Sequence, residues 1–461
     1  MNQFVFEKRQ KNTLTVFMAV GVLCLILSYF MDNGGLHQRF WTNYLHNTMY
    51  FLGIAFITTF VLHAKILMYS GWQVTFQRVW EAFAQFLLVA IILMVPIIVG
   101  IWGHFHHLYH WADTEALKTD VVLKGKSSFL NPVWYTLGTI IVLGVWYFVF
   151  AKNYRTLSLD EDKNPDANYS QHKRMKFFAA AFMPVAAVTS AVMIWQWLMS
   201  LDAHWYSTMY AWYATASWFV GAIALTILAI IYLKSKGYLE LVTTEHLHDL
   251  GKYMFAFTIF WTYLWFSQYM LIWYANIGEE TTYFHVRMRK FPVLYYGNLV
   301  LNFVLPFLIL MRNDTKRKYG TLILTSVIVF FGHWFDFFQM VKVGPWQAEI
   351  EHAKHAGHDA AHLEKVKSET ASLEQGMEHK TSNLESTSAE HGANNGEVKL
   401  SKWGYPEGFI SGVSFPGFLE LGTFLGFIGL FFYFVFGELQ KASLLPKNNP
   451  YLEESTHHHV M

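Results

Sequence analysis

FAQFLLVAIILMVPIIVGIWG, residues 83–103, holds one proline and no charged side chain. A run of this length crosses a hydrocarbon core of roughly 30 Å at about 1.5 Å per residue. Lipid offers no partner for an open backbone, so the segment must satisfy its own N–H and C=O groups as a helix. Working outward, runs of similar character lie at about 14–31, 47–68, 132–151, 176–200, 212–233, 251–275, 293–311, 320–341 and 415–437. The pattern predicts an all-α polytopic membrane protein with ten transmembrane helices. Residues 1–341 hold nine of them with mostly short loops, 342–414 form a long polar loop, 415–437 the tenth helix and 438–461 a tail.

Composition agrees. Charged residues make up 15% and hydrophobic ones 54% of the chain, against about 25% charged in an ordinary soluble domain. A net charge of +1 gives no reason to expect nucleic acid. The single cysteine, Cys24, excludes disulfides within the chain, thiolate zinc sites and a cysteine-ligated iron–sulfur cluster. The polar, basic start MNQFVFEKRQKN leads into an apolar run without a small-residue cleavage signature and reads as an uncleaved signal anchor. Lys and Arg are more numerous in the loops on the side of Met1, above all at 152–176 and 312–318, so both termini are expected in the cytoplasm of a bacterial inner membrane.

Three segments depart from short loops. Residues 104–131 open with His104, His106, His107 and His110. Residues 152–175 read as a polar cytoplasmic linker. The 342–414 loop carries His352, His355, His358 and His362 at helical spacing, which fits a solvated helix or tether better than a metal site, since metal sites need a folded shell behind their ligands. The terminal STHHHVM gains no role, and no metal site is expected anywhere. Internal Pro96, Pro184 and Pro306 should kink their helices. Trp195, Trp197, Trp205 and Trp212 read as interfacial belt anchors.

The informative residues are the polar ones that the membrane tolerates. An acid at the centre of a spanning helix costs about 2.5–3.5 kcal/mol on insertion scales, so such residues face the bundle interior and suggest function. His333 and Asp336 are three apart and share a helix face. Asp202 and His204 end the fifth run. Gln268 lies in the seventh, followed by Glu279 and Glu280, and Glu420 opens the tenth. All of these fall towards the outer side. His63, Lys65 and Glu81 fall on the inner side, with Asn298 and Asn302 between. The expectation is one hydrated outer site of Asp202, Glu280, His333 and Asp336, flanked by His204, Gln268 and Glu279. A proton path would lead inward through Asn298 and Asn302 to His63 and Lys65, with Glu81 and Glu420 along it. A b-type haem needs two histidines at equal depth, and His63 and His333 are badly matched.

WQWLMSLDAHWYSTMYAWY (Trp195 to Tyr213), FWTYLWFSQYMLIWYANIGEETTYF (Phe260 to Phe284) and GHWFDFF (Gly332 to Phe338) together resemble the second quinone-binding-type membrane subunit of bacterial alternative complex III, a quinol:electron-acceptor oxidoreductase. That subunit is similar to the membrane anchor of polysulfide reductase. The resemblance spans about residues 45–437, without the 342–414 loop. It implies two four-helix bundles (helices 2–5 and 6–9) flanked by helices 1 and 10. It also implies a paralogous membrane subunit, periplasmic subunits carrying haem c and iron–sulfur clusters, and electron delivery to cytochrome c or a terminal oxidase. Quinone or menaquinone is the implied small molecule, and this chain would carry no redox centre of its own. The resemblance leads one to expect proline before the paired glutamates, where this chain has Gly278. A secondary transporter and a purely structural anchor are the competing readings.

Overall fold

A computed structural model describes residues 3–31, 37–114, 116–346 and 415–458. The chain divides into two units, Met1–Pro345 with Ser411–Met461, and Trp346–Ile410. The second lies almost wholly outside the described residues, as do His352, His355, His358 and His362.

The described residues form helices and no strand. The helices are α1 (Lys8–Phe30), α2 (Gln38–Leu67), α3 (Gln77–Ala84), α4 (Leu87–Trp102), α5 (Ala116–Thr119), α6 (Val121–Lys126), α7 (Pro132–Gly144), α8 (Lys152–Lys163), α9 (Ser170–Trp197), α10 (Met209–Ser235), α11 (Thr244–Ala275), α12 (Gly278–Lys290), α13 (Pro292–Leu299) and α14 (Leu305–Leu310). They continue with α15 (Tyr319–Trp346), α16 (Phe418–Leu439) and α17 (Leu452–Thr456). Among the described residues, 9 helical stretches are long and apolar enough to cross a membrane. The run at 251–275 lies in α11, a helix of 32 residues that is not among those nine.

Local chemistry sets the boundaries. Asn131 caps α7 by accepting from the Trp134 N–H at 2.8 Å, with Pro132 in the first turn where its missing N–H costs nothing. Asn276, at φ 51°, closes α11 in the left-handed conformation that asparagine tolerates. Gly278 then starts α12, with Glu279 and Glu280 in its first turn, where acids favour the helix dipole. A proline would suit that first position, and glycine opens the helix without one.

α2 and α10 are the most enclosed of the nine spans, and α2 packs against α3, α4, α9 and α10. α1 lies along α16 at glycine contacts. A Cβ on Gly21 would overlap the backbone of Gly426, and one on Gly422 would overlap Cys24. Such small residues let two membrane helices approach closely. Both chain ends lie on one face: Gln3 bridges to Ser443, Arg155 donates to the Glu438 carbonyl at 2.7 Å, and Ser455 donates to the Trp72 carbonyl at 2.7 Å.

Several expectations need correction. The 152–175 segment is no plain linker: a π turn (Val145–Ala151) runs into α8, whose Arg155, Ser158 and Glu161 are buried. The tail does have a role, since Ser455 is buried against Trp72 and Thr75 and His458 bonds Asp249 at 2.7 Å. Of the supposed belt tryptophans, Trp212 is 66% exposed, but Trp197 and Trp205 are core residues at 0% and 3%. Trp197 donates to Thr139 at 2.9 Å, and a buried indole needs such a partner.

Candidate functional site

α15 carries Gly332, His333 and Asp336 into the packed interior, where both titratable side chains are fully buried. The Asp336 carboxylate is held by uncharged donors from three other segments. Its Oδ1 accepts from the Tyr213 hydroxyl on α10 and from Asn298 Nδ2 on α13 at 2.6 Å. Its Oδ2 accepts from Trp261 Nε1 on α11 at 2.9 Å. The Ser217 hydroxyl, one turn beyond Tyr213, lies 2.9 Å from His333 Nδ1. The Trp261 ring, whose N–H binds Asp336, also packs edge-on against the His333 ring at 5.5 Å. His333 Nε2 has no hydrogen-bond partner among the described residues.

The cluster extends along α13. Asn302 Nδ2 donates to Asn298 Oδ1 at 2.5 Å and to the Gly332 carbonyl at 2.9 Å. Asn302 sits in a π turn, Val300–Val304, just ahead of Pro306. Pro306 has no N–H to offer the carbonyl four residues back, so the helix must adjust there, and π turns of this kind recur at functional sites. A Cβ on Gly332 would collide with Asn302 Oδ1. The bare backbone of Gly332 is what lets Asn302 seat against α15.

Glu420, Glu81 and the half-buried Asp202 have cations, and the buried Glu161 has His172 at 3.6 Å. Glu420 accepts from Arg39 at 2.8 and 3.1 Å, from Asn43 at 3.1 Å and from the Gly417 N–H at 2.9 Å, and lies 3.9 Å from Lys342. Glu81 is bonded by Arg78 at 2.6 Å, Gln77 at 2.9 Å and Ser158 at 2.8 Å, with Arg155 at 3.8 Å. Arg78 also binds Asp162 at 2.5 Å. Asp202 lies 3.8 Å from the buried Arg287. Breaking a buried pair of this kind leaves a charge stranded and costs about 3–5 kcal/mol. These acids are pinned as anions. Asp336, by contrast, has no cation in ion-pair range among the described residues.

The expected outer site is thus brought together only in part. His333 and Asp336 meet. Asp202 belongs to a neighbouring cluster, separated from Asp336 by Tyr210 and Tyr283, which feel the charge of both acids. Trp205 stacks on Tyr283 at 3.8 Å and Arg287 lies over the same ring at 3.3 Å, so the protein's own side chains close this aromatic wall. Burial pushes the Tyr283 hydroxyl up to about 12, with Arg287 opposing, so it stays a protonated donor. Glu280 does not join: it is half-buried on α12, and its carboxylate has no hydrogen bond or ion pair among the described residues. Glu279 is exposed beside it. Gln268 is buried on α11 and its Nε2 lacks a partner among the described residues. His204 is on the surface against Asp120.

Among the described residues, side-chain hydrogen bonds do not join the expected inward path end to end. His63 Nδ1 donates to the Thr59 carbonyl, 2.8 Å away, inside a box of Phe150, Tyr154 and Phe182. Lys65 turns elsewhere, donating to Tyr253 at 2.9 Å over the Trp72 ring. No hydrogen bond among the described residues links either one to Asn302. Glu81 and Glu420 lie in separate ion clusters on different elements, and no side-chain hydrogen bond among the described residues joins either carboxylate to Asp336 directly.

Sequence reasoning missed the second polar seam, on α2. Asn43 donates to Glu420, Asn47 donates to the Asn43 carbonyl at 2.8 Å, and Trp334 donates to Asn47 at 2.9 Å. His46 Nε2 meets the Trp334 carbonyl at 2.8 Å, and Tyr50 donates to the Phe330 carbonyl at 2.6 Å. The spacing 43, 46, 47, 50 marks one helix face and was the available signal. Tyr213 and Trp261 offered no such signal, because aromatics crowd these helices. No family model and no curated protein matches this chain.

Proposed function

We propose that this chain is a membrane subunit of a bacterial respiratory quinol:electron-acceptor oxidoreductase of the alternative complex III type. In this reading it spans the inner membrane ten times, α11 included, as two four-helix bundles flanked by α1 and α16, with both chain ends cytoplasmic. Haem c and iron–sulfur clusters belong to periplasmic partners, and a paralogous membrane subunit lies alongside. Cytochrome c or a terminal oxidase receives the electrons. Quinone or menaquinone is the small molecule the complex serves.

One observation carries the role of this chain: Asp336 is a fully buried acid surrounded by neutral hydrogen-bonding groups, whereas the buried Glu81 and Glu420 are tied to arginine. An acid without a cation can accept and release a proton without stranding a charge on a neighbour. His333, on the same helix face and against the same Trp261 ring, is the natural second member. We read Asp336 and His333 as a proton-holding pair on the side away from the chain ends, serving quinol oxidation at that side, not as one end of a wire across the membrane. The ion-paired clusters of Glu81 and Glu420 act as scaffold.

The test is to tag the full chain in its native membrane, purify gently, and ask what accompanies it. Haem c and iron–sulfur proteins with quinol oxidation support the reading. A chain that purifies alone and moves a solute across vesicles would replace it with a transporter. A complex with full activity and unchanged proton release after Asp336→Asn and Glu280→Gln would leave the chain a structural anchor.

A further inference from the structure

His110, Asp120 and His204 converge from three separate segments on the face that also holds Asp202. Each offers one ligand atom, and these atoms all lie within 4.8 Å of one another. His110 starts a short 3₁₀ turn (His110–Ala112), Asp120 caps α6, and His204 follows α9 on the way to α10. The two imidazoles lie 5.7 Å apart between ring centres, tilted by 43°. We propose that these three side chains form a binding site for a first-row divalent cation of the zinc type.

The division of labour on Asp120 argues for this. Its Oδ1 accepts from the Val122 and Leu123 N–H groups at 2.8 and 3.1 Å, which fixes the carboxylate as the cap of α6. Its Oδ2 is turned away from the cap, towards His204 Nε2. A carboxylate oriented by backbone donors through one oxygen, with the other facing two imidazoles, is how protein carboxylates are prepared as single-oxygen ligands. Ligand bonds of about 2.0–2.2 Å would require the side chains to draw in on the ion, and His204, 43% exposed, has room to move.

The donor set selects the ion. Two imidazole nitrogens and one carboxylate oxygen suit zinc and its neighbours, whereas magnesium and calcium prefer all-oxygen sites. The Lys126 ammonium, which feels Asp202, Asp120 and Glu279, is engaged by the Ala203 carbonyl at 2.7 Å rather than by the Asp120 carboxylate. Three protein ligands leave a coordination position open to water. The bound ion would tie the turn at His110 and the start of α6 to the α9–α10 connection that carries His204. Its first effect is therefore to fasten these three segments to one another.

The experiment uses the full chain, purified with whatever partners it carries. His352, His355, His358 and His362 are changed to Gln so that the long loop cannot contribute. After chelator treatment the protein is titrated with Zn²⁺ alone, and separately with Co²⁺, read by its visible absorption. Three single variants are compared with that parent: His110→Gln, Asp120→Asn and His204→Gln. Asparagine caps helices as well as aspartate does, so Asp120→Asn removes the ligand charge while keeping α6 capped. The expected result is one high-affinity equivalent in the parent, weakened at least about 100-fold in each variant, with unchanged melting in the metal-free state. Equal stoichiometry and affinity in the parent and all three variants would overturn the site and leave His204 and Asp120 as a simple ion pair.

Discussion

Asp336→Asn tests whether the buried acid is held as an acceptor. The side chain keeps its shape but exchanges one acceptor oxygen for an NH₂ group. Tyr213 and Asn298 both donate to Oδ1, so the remaining oxygen is best kept there, and the new amide faces Trp261 Nε1 at the present 2.9 Å. Two donors then oppose each other, and the indole N–H loses its acceptor at a fully buried position. Leaving one buried donor unsatisfied costs about 1–3 kcal/mol. Losing a buried anion acts in the other direction, so the single variant mixes two effects. Trp261→Phe separates them, because it removes the opposing donor and keeps an aromatic ring. The double-mutant cycle should show Asp336→Asn costing about 1–3 kcal/mol less in the Trp261→Phe background than alone. The assay is reversible unfolding of the four proteins in mixed micelles. A coupling near zero, or of opposite sign, would refute the acceptor arrangement. Quinol oxidation of the purified complex is the independent arm. A proton acceptor in the rate-limiting step contributes about 10²-fold or more, so turnover should fall by that order while the partners still copurify.

Three further outcomes are expected. Gly426→Leu should force α1 off α16, because even a Cβ there overlaps Gly21; overpacking of this kind costs about 1–3 kcal/mol, and Cys24, set against Gly422 in the same seam, should label faster with a maleimide. Arg78→Met should destabilise the chain by about 3–5 kcal/mol by stranding Glu81 and Asp162, and adding Glu81→Gln should recover part of the loss in the same melting assay. His106, in the loop after α4, is 6% exposed, packs on Trp41 and meets the Ile97 carbonyl at 3.1 Å. Burial, helped by His107, holds its pKa down at about 4 against an ordinary 6.5. The unfolded chain thus binds the extra proton first, so the stabilisation is complete above pH 6.5 and is lost as pH falls towards 4. The loss is about 2–3 kcal/mol, and His106→Gln should flatten the stability profile over that window.

The helices were legible because hydrocarbon imposes one rule on every crossing segment, and the runs around residues 83–103 and 212–233 obey it without reference to neighbours. The site was legible only where partners share a helix: His333 with Asp336, and Asn298 with Asn302. Contacts between helices left less trace. Trp261 donates to Asp336 across 75 positions and Arg39 to Glu420 across 381, and neither residue type marks its partner in sequence. The polar stretch around residues 152–163 misled for a related reason. Arg155, Ser158 and Asp162 look solvated one by one, and become interior only because Arg78 and Glu81 need them.

That contrast gives a way to rank buried acids in this chain. A carboxylate in lipid must be neutralised by a cation, by a proton, or by enough hydrogen-bond donors to spread its charge. Glu81, Glu420 and Asp202 take the first solution and are thereby fixed in one charge state. Asp336 takes the third, with donors that stay neutral whether or not it holds a proton. Its charge state can change without breaking an ion pair elsewhere, and the Tyr213 hydroxyl can reverse its role to follow it. The same logic explains the placing of Asn298 and Asn302, which supply donors without adding charge. A cation brought into this cluster would pin Asp336 as the others are pinned. Asn298→Lys, at the α13 side chain that already meets Asp336 at 2.6 Å, offers such a cation. It should reduce quinol turnover while leaving the complex assembled. Unchanged turnover would mean that the proton of Asp336 is not what the reaction uses.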